Sequence, residues 1–258
     1  YDLAVKAGIP APQTFYPKTL KEAQKVADSI RFPAFIKGLT TPLWRRMYDT
    51  KKGFVVHTAD ELLSQFQEVD KHGIDMIVQE IVPGNDKQHH KVCVYIDRDG
   101  EDKLLFTLQK IRQYPCHFGV GSCVRSYKNP ELAELGLKLF KAIGYKGVAS
   151  VEFKYDQRDK QWKMIEINPR LWAQHGLAEA CGQNFALAAY LDATQGSIIQ
   201  KRKFRSGVKW IAFKEDRASF AGYRAEGALN PLQWLASVVF GRKVWALWSW
   251  RDPLPFLY

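Results

Sequence analysis

Residues 147–170, GVASVEFKYDQRDKQWKMIEINPR, constrain the fold more than any other stretch of the chain. Two runs rich in β-branched, aromatic and aliphatic residues, 148–155 and 162–168, flank the polar turn 156–161, which is the pattern of a β-hairpin. With the turn centred near Asp159, side-chain alternation places Glu152 opposite Glu166, with Asn168 two residues further along the face of Glu166. Carboxylates facing each other across strands repel by about 0.2–1 kcal/mol when exposed and by more when buried. A cation between them reverses the sign, and Glu, Glu and Asn supply only the hard oxygen donors that Mg²⁺ takes beside phosphate groups. Pro169 and Arg170 then carry a permanently charged guanidinium towards the same spot. The competing reading is a solvated hairpin with both glutamates in water. Spacing alone leaves the two open.

At 258 residues and 46% hydrophobic content the chain can bury one large core or two small ones, which excludes a disordered segment. Its net charge of +11 suits an anionic partner, whether nucleotide phosphate, acidic metabolite, nucleic acid or anionic membrane surface, without choosing among them. Cys93, Cys116, Cys123 and Cys181 form no CxxC pair, so neither a zinc site nor a disulfide framework is indicated, and reduced thiols in a cytoplasmic protein are expected. No signal peptide is evident, and no uninterrupted apolar run reaches the ~18 residues of a membrane span. The chain opens at Tyr1 without Met, straight into a helix, and is expected to be a segment of a longer protein.

From the front, a helix over 2–7 stops at Gly8, and Pro10 and Pro12 prevent its resumption. Thr19 with Glu22 caps a helix to about residue 29. Residues 32–38, FPAFIKG, read as a short buried strand whose Lys37 either snorkels to solvent or meets a buried anion such as phosphate. Residues 39–52 are basic, with Arg45, Arg46, Lys51 and Lys52 around Trp44 and Tyr48, and read as a loop, either mobile over an anion or simply solvated. A strand over 53–57, a helix capped by Thr58 with Glu61, and a strand over 75–82 complete an α+β unit. A second unit follows, with strands over 91–97 and 103–111, then a loop over 117–122 whose glycines permit close approach to a ligand. Asn129-Pro130 opens a helix to residue 143, the hairpin comes next, and a helical stretch over 177–194 closes the unit. Beyond residue 201, four basic residues (Lys201, Arg202, Lys203, Arg205) precede a strand over 208–213. Five of the chain's eight tryptophans (Trp210, Trp234, Trp245, Trp248, Trp250) lie in this last part. Its apolar stretch 232–250, broken by Arg242-Lys243, reads as a helix and loop covering a core, with an interfacial membrane helix as the alternative.

Four pieces in order, AGIPAPQTF, FPAFIKG, VQEIVPGND, and GYKGVASVEFKYD with MIEINPR, together resemble the ATP-grasp superfamily over residues 7–170. RQYP, FGVGS and INPRLW further resemble its carboxylate–amine ligases related to D-aspartate ligase and carbamoyl-phosphate synthetase. That resemblance implies an α+β ATP-grasp fold in which two subdomains, 1–84 and 85–200, clasp a nucleotide, followed by a Trp-rich extension over 201–258. The family's usual upstream domain is not in this sequence. The implied cofactors are ATP and Mg²⁺. Glu152, Glu166 and Asn168 would hold the metal. Lys37 would contact phosphates and adenine, Gln79 the adenine amino group, the backbone of Glu80 and Val82 the adenine edge, and Asp86 the ribose hydroxyls. Lys110 or Arg112 would supply a cation near the γ-phosphate, and Arg170 would steady the transition state. Without the resemblance, Gln79 and Glu80 read as a solvated strand end, Asp86 as a turn residue, and Lys110 and Arg112 as a surface strand end.

The implied activity is Mg-ATP-dependent activation of a carboxylate as an acylphosphate for attack by an amine. The alternative is a non-catalytic ATP-binding regulatory or assembly module, favoured by the absence of glycine from 39–52, where the family carries a Gly/Ser-rich phosphate loop; on the ligase reading, Arg45, Lys51 or Lys52 would substitute for that loop. The 119–122 loop is a candidate carboxylate site, and His117 and His175 are candidate general bases. Small-molecule carboxylates and amines are the expected partners. A nucleic-acid surface is not expected, because the basic residues are scattered through every region.

Overall fold

Each of the two sheets takes its form from a distinct part of the chain. The computed structural model describes residues 1–49, 52–196 and 203–248. Lys51, Lys201, Arg202 and Trp250, and the expected boundary at 200/201, lie outside the described residues. The described residues form two units, Pro10–Pro83 on one side and Asp2–Ile9 with the residues from Gly84 onward on the other, so the short helix α1 (Asp2–Lys6) belongs with the second.

The first unit contains β1 (Thr14–Phe15), α2 (Leu20–Ala27), β2 (Ala34–Gly38), α3 (Thr41–Tyr48), β3 (Phe54–Val56), α4 (Ala59–Asp70) and β4 (Met76–Glu80). Its sheet is antiparallel with order β1-β4-β2-β3. Ala34, Ile36, Met76 and Val78 turn one face of the sheet towards Ala23 and Val26 of α2 and Leu62, Phe66 and Val69 of α4, and together they make the core. Both helices start as the capping pattern requires. Thr19 and Thr58 accept from the amides of Glu22 and Glu61 at 3.2 Å each, and those glutamates reach back to the amides of Lys18 and His57 at 2.7 Å. Thr58→Ala removes the acceptor of one orphan amide and is expected to lower the unfolding free energy by about 1 kcal/mol in urea denaturation.

Residues 39–52 are not a loop throughout. They hold the helix α3, with a proline in its first turn. Trp44 and Tyr48, one turn apart, share a face: Trp44 is buried, and the two rings lie 4.6 Å apart with Phe54 edge-on to both. Arg45 and Arg46 remain exposed on the other side. The aromatic pair explains Gly38, where a Cβ would lie 2.8 Å from Cε3 of Trp44.

The second unit contains β5 (His89–Ile96), β6 (Asp102–Tyr114), β7 (Val120–Ser126), α5 (Pro130–Ala142), β8 (Gly147–Asp156), β9 (Gln161–Asn168), α6 (His175–Ala180), α7 (Phe185–Gln195), β10 (Lys209–Ile211), α8 (Phe213–Ala225), α9 (Pro231–Val239) and β11 (Lys243–Trp245). Its sheet runs β11-β10-β7-β6-β5-β8-β9, with β10 and β11 parallel and every other pair antiparallel. Helix α5 buries Leu132, Leu139 and Phe140, and its Gly136 lets it close on β5, since a Cβ there would sit 2.7 Å from Cγ1 of Val92. Cys93, Tyr95, Leu104, Phe106 and Leu108 share a second core with Trp172, Leu177 and Phe185 of the α6–α7 region.

Two expectations change here. The helical stretch 177–194 is broken: Gly182 takes a positive φ of 99°, and Asn184 starts α7 by accepting from the Leu187 amide at 2.9 Å. The second half of the expected 117–122 ligand loop is strand, since β7 begins at Val120, and Gly119 is needed for the turn itself, where a Cβ would lie 2.1 Å from the Pro115 carbonyl oxygen. The chain past residue 203 is integral to the unit, with β10 pairing to β7 and α8 packing on β6 and β7. Among the described residues no helix is long and apolar enough to cross a membrane.

Candidate functional site

The register of β5, β6 and β8 gathers charge on one sheet face. In the pairing of β5 with β8, His89 faces Lys154 and Lys91 faces Glu152, and these two cross-strand pairs lie two residues apart on the same side. Lys110 of β6 joins them. Glu152 then bridges two ammonium groups, with Lys91 Nζ 2.9 Å from Oε1 and Lys110 Nζ 2.8 Å from Oε2. All three side chains are at most 9% exposed. Burial pushes the Glu152 carboxyl up, but the Lys110 and Lys91 charges outweigh it and hold the group well below the usual carboxylate range. Lys154 is also buried and has no hydrogen-bond or ion-pair partner among the described residues. Burial first, and Lys110 second, lower its pKa, against the pull of Asp86 and Asp156. Burial and the charges of Lys110 and Lys154 push His89 down to about 3, so it is neutral, and its Nδ1 has no hydrogen-bond partner among the described residues. The face therefore carries three ammonium groups around one carboxylate, an anion site with surplus positive charge.

Glu166 faces Glu152 across β8 and β9, as the hairpin alternation requires, with a bulge immediately after the pair. The two glutamates differ sharply in surroundings, because β9 is the edge strand and Glu166 is exposed. Its Oε1 accepts from Asn168 Nδ2 at 2.8 Å, and Asn168 Oδ1 accepts from Arg170 Nη2 at 3.3 Å. Arg170 also donates to the Leu171 carbonyl at 3.1 Å. These residues do not fit an ion held by all three oxygen donors. Both Glu152 oxygens are taken by lysines, and among the described residues no three His, Cys, Asp or Glu side chains cluster as a metal site.

Lys110 also donates to Gln113 Oε1 at 3.2 Å, and Gln113 Nε2 donates to Asp86 Oδ1 at 2.7 Å. Asp86, in the short turn before β5, is buried, and its other oxygen accepts from the Tyr223 hydroxyl of α8. Burial raises the Asp86 pKa while Tyr223 and Gln113 lower it, with a net fall. Both oxygens of the expected ribose acceptor thus already accept within the protein. Arg112 stands outside the lysine cluster. Register shifts on both sides of it re-aim the strand, and its Nε and Nη2 grip Asp216 of α8 at 2.7 and 2.8 Å. His117 lies 3.5 Å from Asp86 and 3.0 Å from Glu226, while His175 Nδ1 sits 2.9 Å from the Trp172 carbonyl.

The His117 contacts carry a pH prediction. Burial lowers its pKa, but Glu226 and Asp86 outweigh that and raise it above the ordinary histidine value. A raised folded-state pKa stabilises fully below the unfolded value and is lost as pH rises through the folded one. The contribution stays within about 1 kcal/mol because the ring is largely solvated. In an NMR titration of the imidazole Cε1 proton, Glu226→Gln is expected to lower the midpoint, and an unmoved midpoint would exclude the pair as its cause.

In the first unit, Lys37 and Gln79 share a sheet face, since Phe35 pairs with Gln79 and Lys37 with Ile77. Gln79 Nε2 donates to Thr14 Oγ1 at 2.9 Å, leaving its amide oxygen as an acceptor. Glu80 points to the other side and is buried, with Oε2 accepting from the Gln13 amide at 3.1 Å and its own amide donating to the Gln13 carbonyl at 2.8 Å. Val82 is buried.

Reasoning from spacing missed Lys91, Lys154, His89, Gln113 and Tyr223. A signal existed for Lys154, two residues beyond Glu152 on the same strand, and for the polar run His89–Lys91 that opens an otherwise apolar strand. Nothing local pairs β5 with β8, because β6, β7 and α5 intervene.

The family model for "Carbamoyl-phosphate synthase L chain, ATP binding domain" matches residues 120–191. D-aspartate ligase of Enterococcus faecium is 28% identical over 125 residues, covering 46% of this chain and 30% of that protein. The large chain of carbamoyl phosphate synthase from Methanobrevibacter smithii is 23% identical over 243 residues, covering 85% of this chain and 22% of that protein. The crystal structure of the biotin carboxylase–β,γ-ATP complex from Campylobacter jejuni superposes with a TM-score of 0.64 at 18% identity, over 81% of this chain and 48% of the other. The chain thus spans less than half the length of each.

Proposed function

Since the chain is a member of the ATP-grasp superfamily, we propose that it serves an ATP-dependent ligase that activates a carboxylate as an acylphosphate and passes the acyl group to an amine. The observation that carries this reading is the buried cluster of Lys91, Lys110 and Lys154 around one carboxylate, a charge surplus suited to a polyphosphate. A carboxylate oxygen of the substrate attacks the γ-phosphorus, the bond to the β,γ-bridging oxygen breaks, and ADP leaves. The amine nitrogen then attacks the acyl carbon, inorganic phosphate departs with the bonding pair, and the nitrogen loses a proton to solvent. Lys110 and Lys154 stabilise charge on the transferring phosphoryl oxygens. Arg170, exposed beyond the edge strand, meets the oxyanion of the tetrahedral intermediate. On the first unit, Lys37 and Gln79 serve phosphate and adenine respectively, the free amide oxygen of Gln79 accepting from the exocyclic amine.

Named relatives in this superfamily join or carboxylate small molecules, and the substrates of this chain belong to the same broad class of small carboxylates and amines. The test is ADP release by the full-length protein with a panel of amino acids, sugar acids and short peptides as carboxylates, with and without an amine. Release that requires one of the acids supports the ligase. Nucleotide binding without turnover for any acid supports the second reading, a regulatory or assembly module. The presence of α3 where a mobile glycine-rich segment would cover the phosphates favours that second reading.

A further inference from the structure

On the reading that this face receives the phosphates of ATP, we propose that Lys91 supplies the charge a divalent cation would otherwise bring to Glu152, so that the chain binds ATP without a metal there. Each oxygen of Glu152 has its own ammonium, at 2.9 Å from Lys91 and 2.8 Å from Lys110, and the whole group is nearly sealed from water. A divalent ion reaching that carboxylate would lie against two buried ammonium groups, and their repulsion opposes it; displacing either one would leave a buried lysine without its partner. The remaining oxygen donors are no substitute. Glu166 and Asn168 are bonded to each other, with the asparagine amide turned towards the carboxylate and its oxygen towards Arg170.

The charge balance points the same way. Lys91, Lys110 and Lys154 outnumber the carboxylate they surround, Glu152, and still leave one net positive charge when Asp86, which acts on Lys154 and reaches Lys110 through Gln113, is counted with it. The charge is fixed by the fold: Lys91 is held opposite Glu152 by strand register, and Lys154 opposite His89. Lysine is suited to this use because its ammonium is a compact point charge with three donors, able to hold Glu152 and a phosphate oxygen at once.

Calorimetric ATP titration of the full-length protein, in EDTA and again in saturating Mg²⁺, tests the proposal. The wild-type affinities are expected to agree within about threefold, whereas Lys91→Met loses about tenfold in EDTA and recovers in Mg²⁺. Lys91→Arg keeps the charge and is expected to bind in EDTA like the wild type, and thermal melting confirms that both variants fold. A wild-type affinity that rises tenfold or more with Mg²⁺, or a Lys91→Met protein that binds normally in EDTA, overturns the proposal while leaving the ATP reading intact. Absence of ATP binding in both buffers overturns the ATP reading, and the proposal with it.

Discussion

Asp216→Ala is expected to lower the unfolding free energy by about 3–5 kcal/mol, the range for breaking a buried ion pair from one side. Arg112 and Asp216 have side-chain exposures of 5% and 0%, so the arginine left behind can reach no water. Asp216 does more than pair with Arg112: Ser122 Oγ donates to Oδ1 at 3.3 Å and Trp234 Nε1 to Oδ2 at 3.0 Å. The carboxylate thus ties β6, β7, α8 and α9 together, and its loss strands three donors rather than one. Trp234→Phe removes one neutral donor and keeps the ion pair, so it is expected to cost far less, about 1 kcal/mol. Urea denaturation of both variants gives the comparison. A loss below about 1 kcal/mol for Asp216→Ala would show that the site relaxes or hydrates, and would return Arg112 to the candidates for direct contact with substrate.

Lys110→Met is expected to cut carboxylate-dependent ADP release by about 10²–10³-fold, comparable to removing one preorganised donor from a developing anion. The substitution keeps the aliphatic length of the side chain, and Glu152 retains its pair with Lys91 at 2.9 Å, so the sheet is expected to stay folded. Lys110 also bridges to Gln113 and through it to Asp86 and Tyr223, so part of the effect could reflect movement of that chain of hydrogen bonds. Gln113→Leu separates the two: it breaks the bridge and leaves the Lys110 charge. Turnover near wild type in Gln113→Leu with a large loss in Lys110→Met places the charge at the transferring phosphoryl group. Equal losses would assign Lys110 a positioning role, and a loss under about threefold in Lys110→Met would remove it from the reaction altogether.

The parts of the fold that could be read from sequence are those whose cause is local. The facing of Glu152 and Glu166 follows from a short turn between consecutive strands, because a period of two and a known turn leave one register. The starts of α2, α4 and α5 follow from Thr19, Thr58 and Asn129, each bonded to an amide three residues on. Helix α3 was hidden because only Trp44 and Tyr48 mark its buried face while its charges dominate the composition. The two lysines on Glu152 were hidden for another reason. Lys91 comes from β5, brought beside β8 only by the sheet's non-sequential order, and Lys110 from β6 one strand further on, and no spacing rule in one dimension reports such neighbours. Hairpin alternation and the family resemblance marked Glu152 and Glu166 as a pair but carried no information about the lysines that β5 and β6 bring to the other side of Glu152.

The pairing of Arg112 with Asp216 also bears on how the polypeptide leaves the ribosome. The two residues are 104 positions apart, so at about 5–20 residues per second Asp216 emerges roughly 5–20 s after the arginine it neutralises. During that interval β5 to β9 can pair as a sheet, but β6 cannot bury its guanidinium without heavy cost, and it stays hydrated along that face. Tyr223 imposes a longer delay on Asp86, 137 residues upstream. A nascent chain halted before residue 216 thus holds every strand from β5 to β9 but leaves the guanidinium of Arg112 without the carboxylate that permits its burial.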